Sequence, residues 1–106
     1  MATKKVRREI MQVAKSYAEL LMKEMKIDSV YLYGSYVEGT YSEDSDIDIA
    51  VFAEEFTGDR IEDTMKLMKI RRKIDYRIEP HPFKISDFRL DNPYIEGIVN
   101  NGLRIV

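Results

Sequence analysis

Asp46 and Asp48 stand two residues apart in the segment Ser45-Asp46-Ile47-Asp48-Ile49-Ala50-Val51. Side chains on a β-strand repeat every two residues, so the two carboxylates share one face while Ile47, Ile49 and Val51 occupy the other. At a strand rise they are roughly 7 Å apart along the backbone and can lean toward a common point, a geometry suited to sharing hard divalent cations through oxygen ligands. Without a cation two such charges repel, and burying them unpaired is destabilising. The alternation alone is what any half-buried strand shows, so its meaning depends on what surrounds it.

Two further features bear on it. Gly34-Ser35 follows the apolar run SVYLY (residues 29–33). There a glycine permits unusual dihedrals and close backbone approach, and free N–H groups with the Ser35 hydroxyl can cradle an anion. A Gly-Ser pair taken by itself is an ordinary strand-ending turn. The second feature is Asp75 in Ile74-Asp75-Tyr76-Arg77-Ile78-Glu79, where Asp75, Arg77 and Glu79 share one face if the segment is a strand. Were that strand a neighbour of the first, three carboxylates would converge, as two-metal phosphoryl chemistry requires, and Asp75 could accept a hydroxyl proton. His81, the single histidine, stands between Pro80 and Pro82 and reads as a solvent-facing loop residue outside the site.

The elements that must position these groups are legible from periodicity. Apolar residues at Val6, Ile10, Val13, Tyr17, Leu20, Leu21 and Met25 have the spacing of an amphipathic helix. Residues 29–33 read as a strand, 36–44 as a turn-rich loop with room for one short helical turn, and 46–52 as a second strand. After Gly58, Ile61, Met65 and Met68 return to helical spacing, with acids early and bases late, predicting a helix that ends near Lys73. The third strand is expected over Ile74–Glu79, closed by Pro80 and Pro82. From Ser86 the pattern weakens; a short helix starting at Pro93 and stopped by Gly102, then a last strand over 103–106, is the expectation. This predicts an α/β (α+β) arrangement, a short mixed β-sheet with helices packed on it, forming one domain over 1–106.

Composition narrows the function classes. With 106 residues, 44% hydrophobic and 34% charged, five glycines and three prolines, the chain has the make-up of a packed fold with one core. The absence of cysteine excludes disulfides, thiolate metal sites and a thiol nucleophile. A net charge of −2 gives no global attraction to a phosphate backbone. The basic run Arg71-Arg72-Lys73, with Lys66 and Lys69 before it, reads as a solvated helix end rather than a nucleic-acid patch. No direct nucleic-acid binding is expected. The charged start MATKKVRREI leads into an amphipathic segment, so neither a signal peptide nor a membrane span is expected, and the cytoplasm is the expected compartment.

The stretch from Gly34-Ser35, through the ten residues 36–45 with Gly39 among them, to Ser45-Asp46-Ile47-Asp48 resembles the signature of the nucleotidyltransferase superfamily, a Gly-Ser pair and then Asp-x-Asp. The segment Ile74-Asp75-Tyr76-Arg77-Ile78-Glu79-Pro80-His81-Pro82 is similar to the third-acid strand of its minimal members. The resemblance covers roughly residues 27–82. It implies the polymerase beta-like fold, a triphosphate held by Gly34 and Ser35, two Mg²⁺ ions bound by Asp46 and Asp48, and a site completed by Asp75. Glu38 stands where many relatives have a basic residue, so charge help for the triphosphate would come from Arg77 or from a partner.

Minimal members of this kind resemble antitoxins paired with a HEPN-type ribonuclease toxin, some of which transfer AMP from ATP to a toxin tyrosine. The resemblance therefore implies an adenylyltransferase antitoxin with ATP as substrate and a HEPN toxin as partner. Two alternatives stay open at this stage. One is a binding antitoxin that masks its partner without turnover, and the other is a subunit of a small-molecule nucleotidyltransferase like the antibiotic-modifying enzymes.

Overall fold

A computed structural model describes residues 6–87 and 92–106. Residues 1–5 of the charged start, and 88–91 within the weakly patterned stretch after Ser86, lie outside the described residues. The chain runs α1 (Arg8–Glu24), β1 (Ser29–Tyr33), α2 (Ser35–Glu38), β2 (Ile47–Ala53), α3 (Arg60–Arg71), β3 (Ile78–Lys84), a 3₁₀ turn (Ile85–Asp87), α4 (Pro93–Asn101) and β4 (Leu103–Arg104). The strands form one mixed sheet in the order β3-β2-β1-β4, with β1 antiparallel to both β2 and β4, and β3 parallel to β2. This is the small mixed sheet with helices packed on it that the sequence predicts.

The strand period divides the sheet's two faces. Val30 and Leu32 of β1, Ile47, Ile49, Val51 and Ala53 of β2, and Ile78 of β3 join the larger core with Ile10, Ala14, Tyr17 and Leu21 of α1 and Leu67 and Ile70 of α3. On the opposite face Ala50 and Phe52 pack against Ile95 and Ile98 of α4, with Tyr31, Tyr33 and Phe83 at the margin. Asp48 shares the α4 side of β2, and α4 covers only part of that face. The uncovered part holds the acids.

Helix α3 begins where Asp59 accepts the N–H groups of Ile61 and Glu62. Asn92 caps α4 in the same way and Pro93 follows at its first position. The buried acid Asp63 is consumed structurally, accepting from the Thr57 N–H and hydroxyl and the Gly58 N–H. Tyr17 is fully buried and donates its hydroxyl to the Leu67 carbonyl at 2.7 Å, tying α1 to α3. Tyr17→Phe leaves that carbonyl without its donor in a dry core. It is expected to lower stability by about 1–2 kcal/mol, read as a lower urea midpoint with unchanged slope.

The third strand departs from expectation. It starts at Ile78, not Ile74, and runs through both prolines to Lys84. Pro is tolerated in a sheet only where its missing N–H faces away from the ladder, and β3 is an edge strand. The Arg77 carbonyl accepts from the Ile47 N–H, so residues 77, 79, 81 and 83 address β2 while 78, 80 and 82 face outward. The outward carbonyls of Tyr76 and Ile78 accept from Arg71 of α3, which closes the exposed edge.

Candidate active site

Register alone assembles the centre of the site. Asp48 on β2 pairs with Tyr33 on β1 and with Glu79 on β3, so a tyrosine, an aspartate and a glutamate lie in one row across three strands. His81 pairs with Ala50 in the next row, and that small, fully buried residue leaves room for the imidazole to lean back toward the acids. Its Nε2 lies 3.6 Å from Asp48 Oδ1 and 3.9 Å from Glu79 Oε1. Ligand atoms of Asp48, Glu79 and His81 all fall within 4.8 Å of one another. Asp46 sits just ahead of β2, exposed, with its carboxyl hydrogen-bonded to that of Glu79.

The electrostatics are those of crowded negative charge. The Glu79 carboxyl is held above the usual carboxylate range, first by its hydrogen bond to Asp46, then by burial and by the charges of Asp46 and Asp48, with His81 opposing. Tyr33 is likewise pushed up, chiefly by burial and by its hydrogen bond to Tyr94 at 2.9 Å, with Asp48 and Glu79 adding to the shift. Carboxylates crowded together in this way form a donor set that fits divalent cations, which take carboxylate oxygens at about 2.0–2.6 Å. Asp46, Asp48 and Glu79 supply those oxygens, and His81 adds a nitrogen.

Gly34 and Ser35 adjoin this row. Gly34 caps α2 with φ +83 and ψ −152, a conformation open to glycine and strained for other residues. An added Cβ there would collide with Asp48 Oδ2. The glycine thus lets the backbone pass directly over the carboxylate; the Val37 and Glu38 N–H groups bond the Gly34 carbonyl, and those of Ser35 and Tyr36 precede the first such bond. Gly39, in the left-handed conformation, ends the helix after one turn. Of the four residues singled out from sequence, Gly34 lies directly against Asp48, with Ser35 next to it in the chain and Asp46 two residues before Asp48.

Asp75 is not. It lies in the turn before β3, where its carboxylate accepts the Arg77 backbone N–H at 2.8 Å, Nε at 3.1 Å and Nη2 at 2.9 Å. Those bonds hold it below the ordinary aspartate range despite opposing burial. Arg77, considered from sequence as help for a triphosphate, has its guanidinium engaged by the same carboxylate. The acid that stands beside Asp48 is Glu79. His81 is no solvent-facing loop residue either, since its side chain is only 19% exposed and its ring tilts against Tyr33 at 5.7 Å.

Two clefts border the row, and one of them reaches the acids. One of about 480 Å³ runs along the β3 edge beneath α3, with Asp46, Glu79 and His81 in its wall and Thr64 and Met68 opposite. The other, about 670 Å³, lies between α2 and α4 and shares Tyr33 with the acid row. Among the described residues no helix is long and apolar enough to cross a membrane.

Comparison with known proteins agrees with this geometry. Residues 15–106 match the family model described as "Polymerase beta, Nucleotidyltransferase". Two proteins of Methanocaldococcus jannaschii, named as candidate protein adenylyltransferases, are 28% and 27% identical to this chain. The matches span 92% of this chain and 99% of the first relative, and 90% and 92% for the second. A crystal structure of a candidate nucleotidyltransferase from Sulfolobus solfataricus superposes with TM-score 0.64 over 91% of this chain and 78% of the other, at 18% identity. A chain of a toxin-antitoxin crystal structure with AMP-PNP superposes with TM-score 0.59 over 87% of this chain and 72% of its own length, at 25% identity. With the Gly-Ser turn against Asp-x-Asp and a family match over most of its length, the chain belongs to the polymerase beta nucleotidyltransferase family and is a transferase of that kind.

Proposed function

We propose that this protein transfers AMP from ATP, with Mg²⁺-class divalent cations, to a tyrosine hydroxyl of a partner HEPN-type toxin, and so acts as its antitoxin. The observation that carries the proposal is the row Tyr33-Asp48-Glu79 with Asp46 beside it and the Gly34-Ser35 turn against Asp48. The names of the relatives supply the acceptor class, and the toxin-antitoxin chain with AMP-PNP supplies the partner class and the adenine nucleotide.

In this reading Asp46, Asp48 and Glu79 are the metal-binding carboxylates, with Glu79 in the place that sequence reasoning gave to Asp75. Gly34 and Ser35 hold the triphosphate through the N–H groups that open α2 and the Ser35 hydroxyl. Divalent cations held by these carboxylates would polarise the α-phosphate, lower the pKa of the acceptor hydroxyl and neutralise the departing pyrophosphate. The acceptor oxygen forms a bond to the α-phosphorus as the bond from that phosphorus to the bridging oxygen breaks, releasing pyrophosphate. The hydroxyl proton passes to Glu79, the more exposed partner of the Asp48–Glu79 pair, which faces the open edge cleft. The edge cleft opens onto Asp46 and Glu79, and the cleft between α2 and α4 borders the row only at Tyr33, so the nucleotide and the acceptor have separate approaches.

The test is transfer of label from each of the four ribonucleoside triphosphates, with Mg²⁺, onto the protein encoded beside this one, with Asp46→Asn/Asp48→Asn as control. Label on the partner, strongest from ATP and absent with the double variant, is expected. A tight complex formed equally by both proteins, without label, contradicts transfer to that partner and favours masking.

A further inference from the structure

We propose that His81 is a direct ligand of the cation that Asp48 and Glu79 hold, and that this nitrogen makes the position prefer a first-row transition dication over Mg²⁺. The inference rests on the metal-dependent reading above.

The distances from His81 Nε2 to Asp48 Oδ1 and Glu79 Oε1, 3.6 and 3.9 Å, are too long for hydrogen bonds. They exceed the tetrahedral spacing between neighbouring ligands on one ion by a few tenths of an ångström and the right-angle spacing by somewhat less than an ångström, a gap that small side-chain rotations close. With metal–ligand bonds of about 2.0–2.2 Å, ligand atoms sit about 3 Å apart at a right angle and about 3.5 Å apart at a tetrahedral one. His81 is also pre-positioned. It lies on β3 between Pro80 and Pro82, whose fixed φ stiffens the strand, and is half-buried above Ala50 and beside the Tyr33 ring. The Tyr33 hydroxyl is hydrogen-bonded to that of Tyr94 at 2.9 Å, which fixes the ring against which the imidazole rests.

An all-oxygen set suits Mg²⁺, which demands near-ideal octahedral geometry and keeps several waters, whereas imidazole suits the later first-row dications. Replacing one oxygen by His81 Nε2 therefore biases the position toward Co²⁺ or Zn²⁺, while Mn²⁺, which oxygen ligands also suit, serves as a spectroscopic probe.

The sequence permits a direct test, because it contains one histidine. Tag-free protein is loaded with Mn²⁺ and examined by pulsed electron paramagnetic resonance for imidazole ¹⁴N coupling, which in this chain can come only from His81. Co²⁺ and Mg²⁺ affinities are measured by titration calorimetry on wild type, His81→Gln and His81→Asp. Expected are ¹⁴N coupling in wild type, a Co²⁺-to-Mg²⁺ affinity ratio about tenfold higher in wild type than in the variants, and loss of the coupling in the variants. His81→Asp, which restores an oxygen ligand, should retain Mg²⁺ binding. Mn²⁺ bound without ¹⁴N coupling, or an unchanged Co²⁺-to-Mg²⁺ ratio in the variants, overturns the assignment. The wild-type spectrum decides the matter even if a variant fails to fold, and because it reads the cation itself, it stands apart from any failure to find nucleotide transfer.

Discussion

Asp48→Asn is expected to lower nucleotide transfer by about 10³-fold, a loss of about 4 kcal/mol of transition-state stabilisation, while leaving the folded protein intact. Asp48 occupies the middle of the acid row, paired with Tyr33 on one side and Glu79 on the other, and its Oδ1 faces His81. Asparagine keeps its shape but not its charge, so cation affinity collapses. The stability effect has the opposite sign. Asp48 helps hold the Glu79 carboxyl above its ordinary range, so removing this charge relieves repulsion in the metal-free protein. The melting temperature without metal should be equal to or above that of wild type, and the rise on adding Mg²⁺ or Mn²⁺ should shrink. Steady-state transfer and thermal melts with and without cation check both halves. A variant that melts well below wild type in the absence of metal would mark Asp48 as structural.

Gly34→Ala is expected to damage both fold and function. The backbone at φ +83 and ψ −152 is strained for any side chain, and the new methyl would strike Asp48 Oδ2. Either the turn or the carboxylate must move. A stability loss of about 1–3 kcal/mol follows from the dihedral strain, and a transfer loss of about 100-fold from displacing Asp48 against the triphosphate turn. Gly39→Ala is the contrast. Its φ is +85, but nothing lies within 4 Å of an added Cβ. It should lose about 1 kcal/mol by chemical denaturation and transfer at close to the wild-type rate.

These two positions were legible from sequence because the chemistry and the local geometry coincide in them. A strand period of two fixes Asp46 and Asp48 on one face whatever they pair with, and Gly34-Ser35 at the end of an apolar strand marks a turn by residue type alone. The helix from Pro93, stopped at Gly102, is legible for the same reason, since Asn92, Pro93 and Gly102 act through local backbone geometry.

The third acid was not legible, and the reason is tertiary. The alternation from Ile74 to Glu79 satisfies the strand pattern, but strand bounds depend on the partner, and β2 pairs with this chain only from Ile78 onward. Upstream of that, Asp75 and Arg77 bond to each other and close a turn. Pro80 and Pro82 read as strand terminators, yet both lie in the strand with their nitrogens away from the ladder, which is possible only because β3 is an edge. A signal was present. Prolines spaced by two, with Glu79, His81 and Phe83 between and after them, fit an edge strand whose alternate residues face the sheet's functional side. Reading it required knowing the strand order, which no local pattern carries.

The central claim, that Asp46, Asp48 and Glu79 form the carboxylate set of a nucleotide-transferring centre, is tested most directly by comparing Glu79→Gln with Asp75→Asn in transfer of labelled AMP from ATP to the partner protein. Glu79→Gln removes the acid beside Asp48 and is expected to lower the rate by about 100-fold. Asp75→Asn weakens a pair with Arg77 in a turn and should stay within about threefold of wild type, with a stability loss of about 1 kcal/mol. The reverse order, with Asp75→Asn inactive and Glu79→Gln near wild type, would contradict the account.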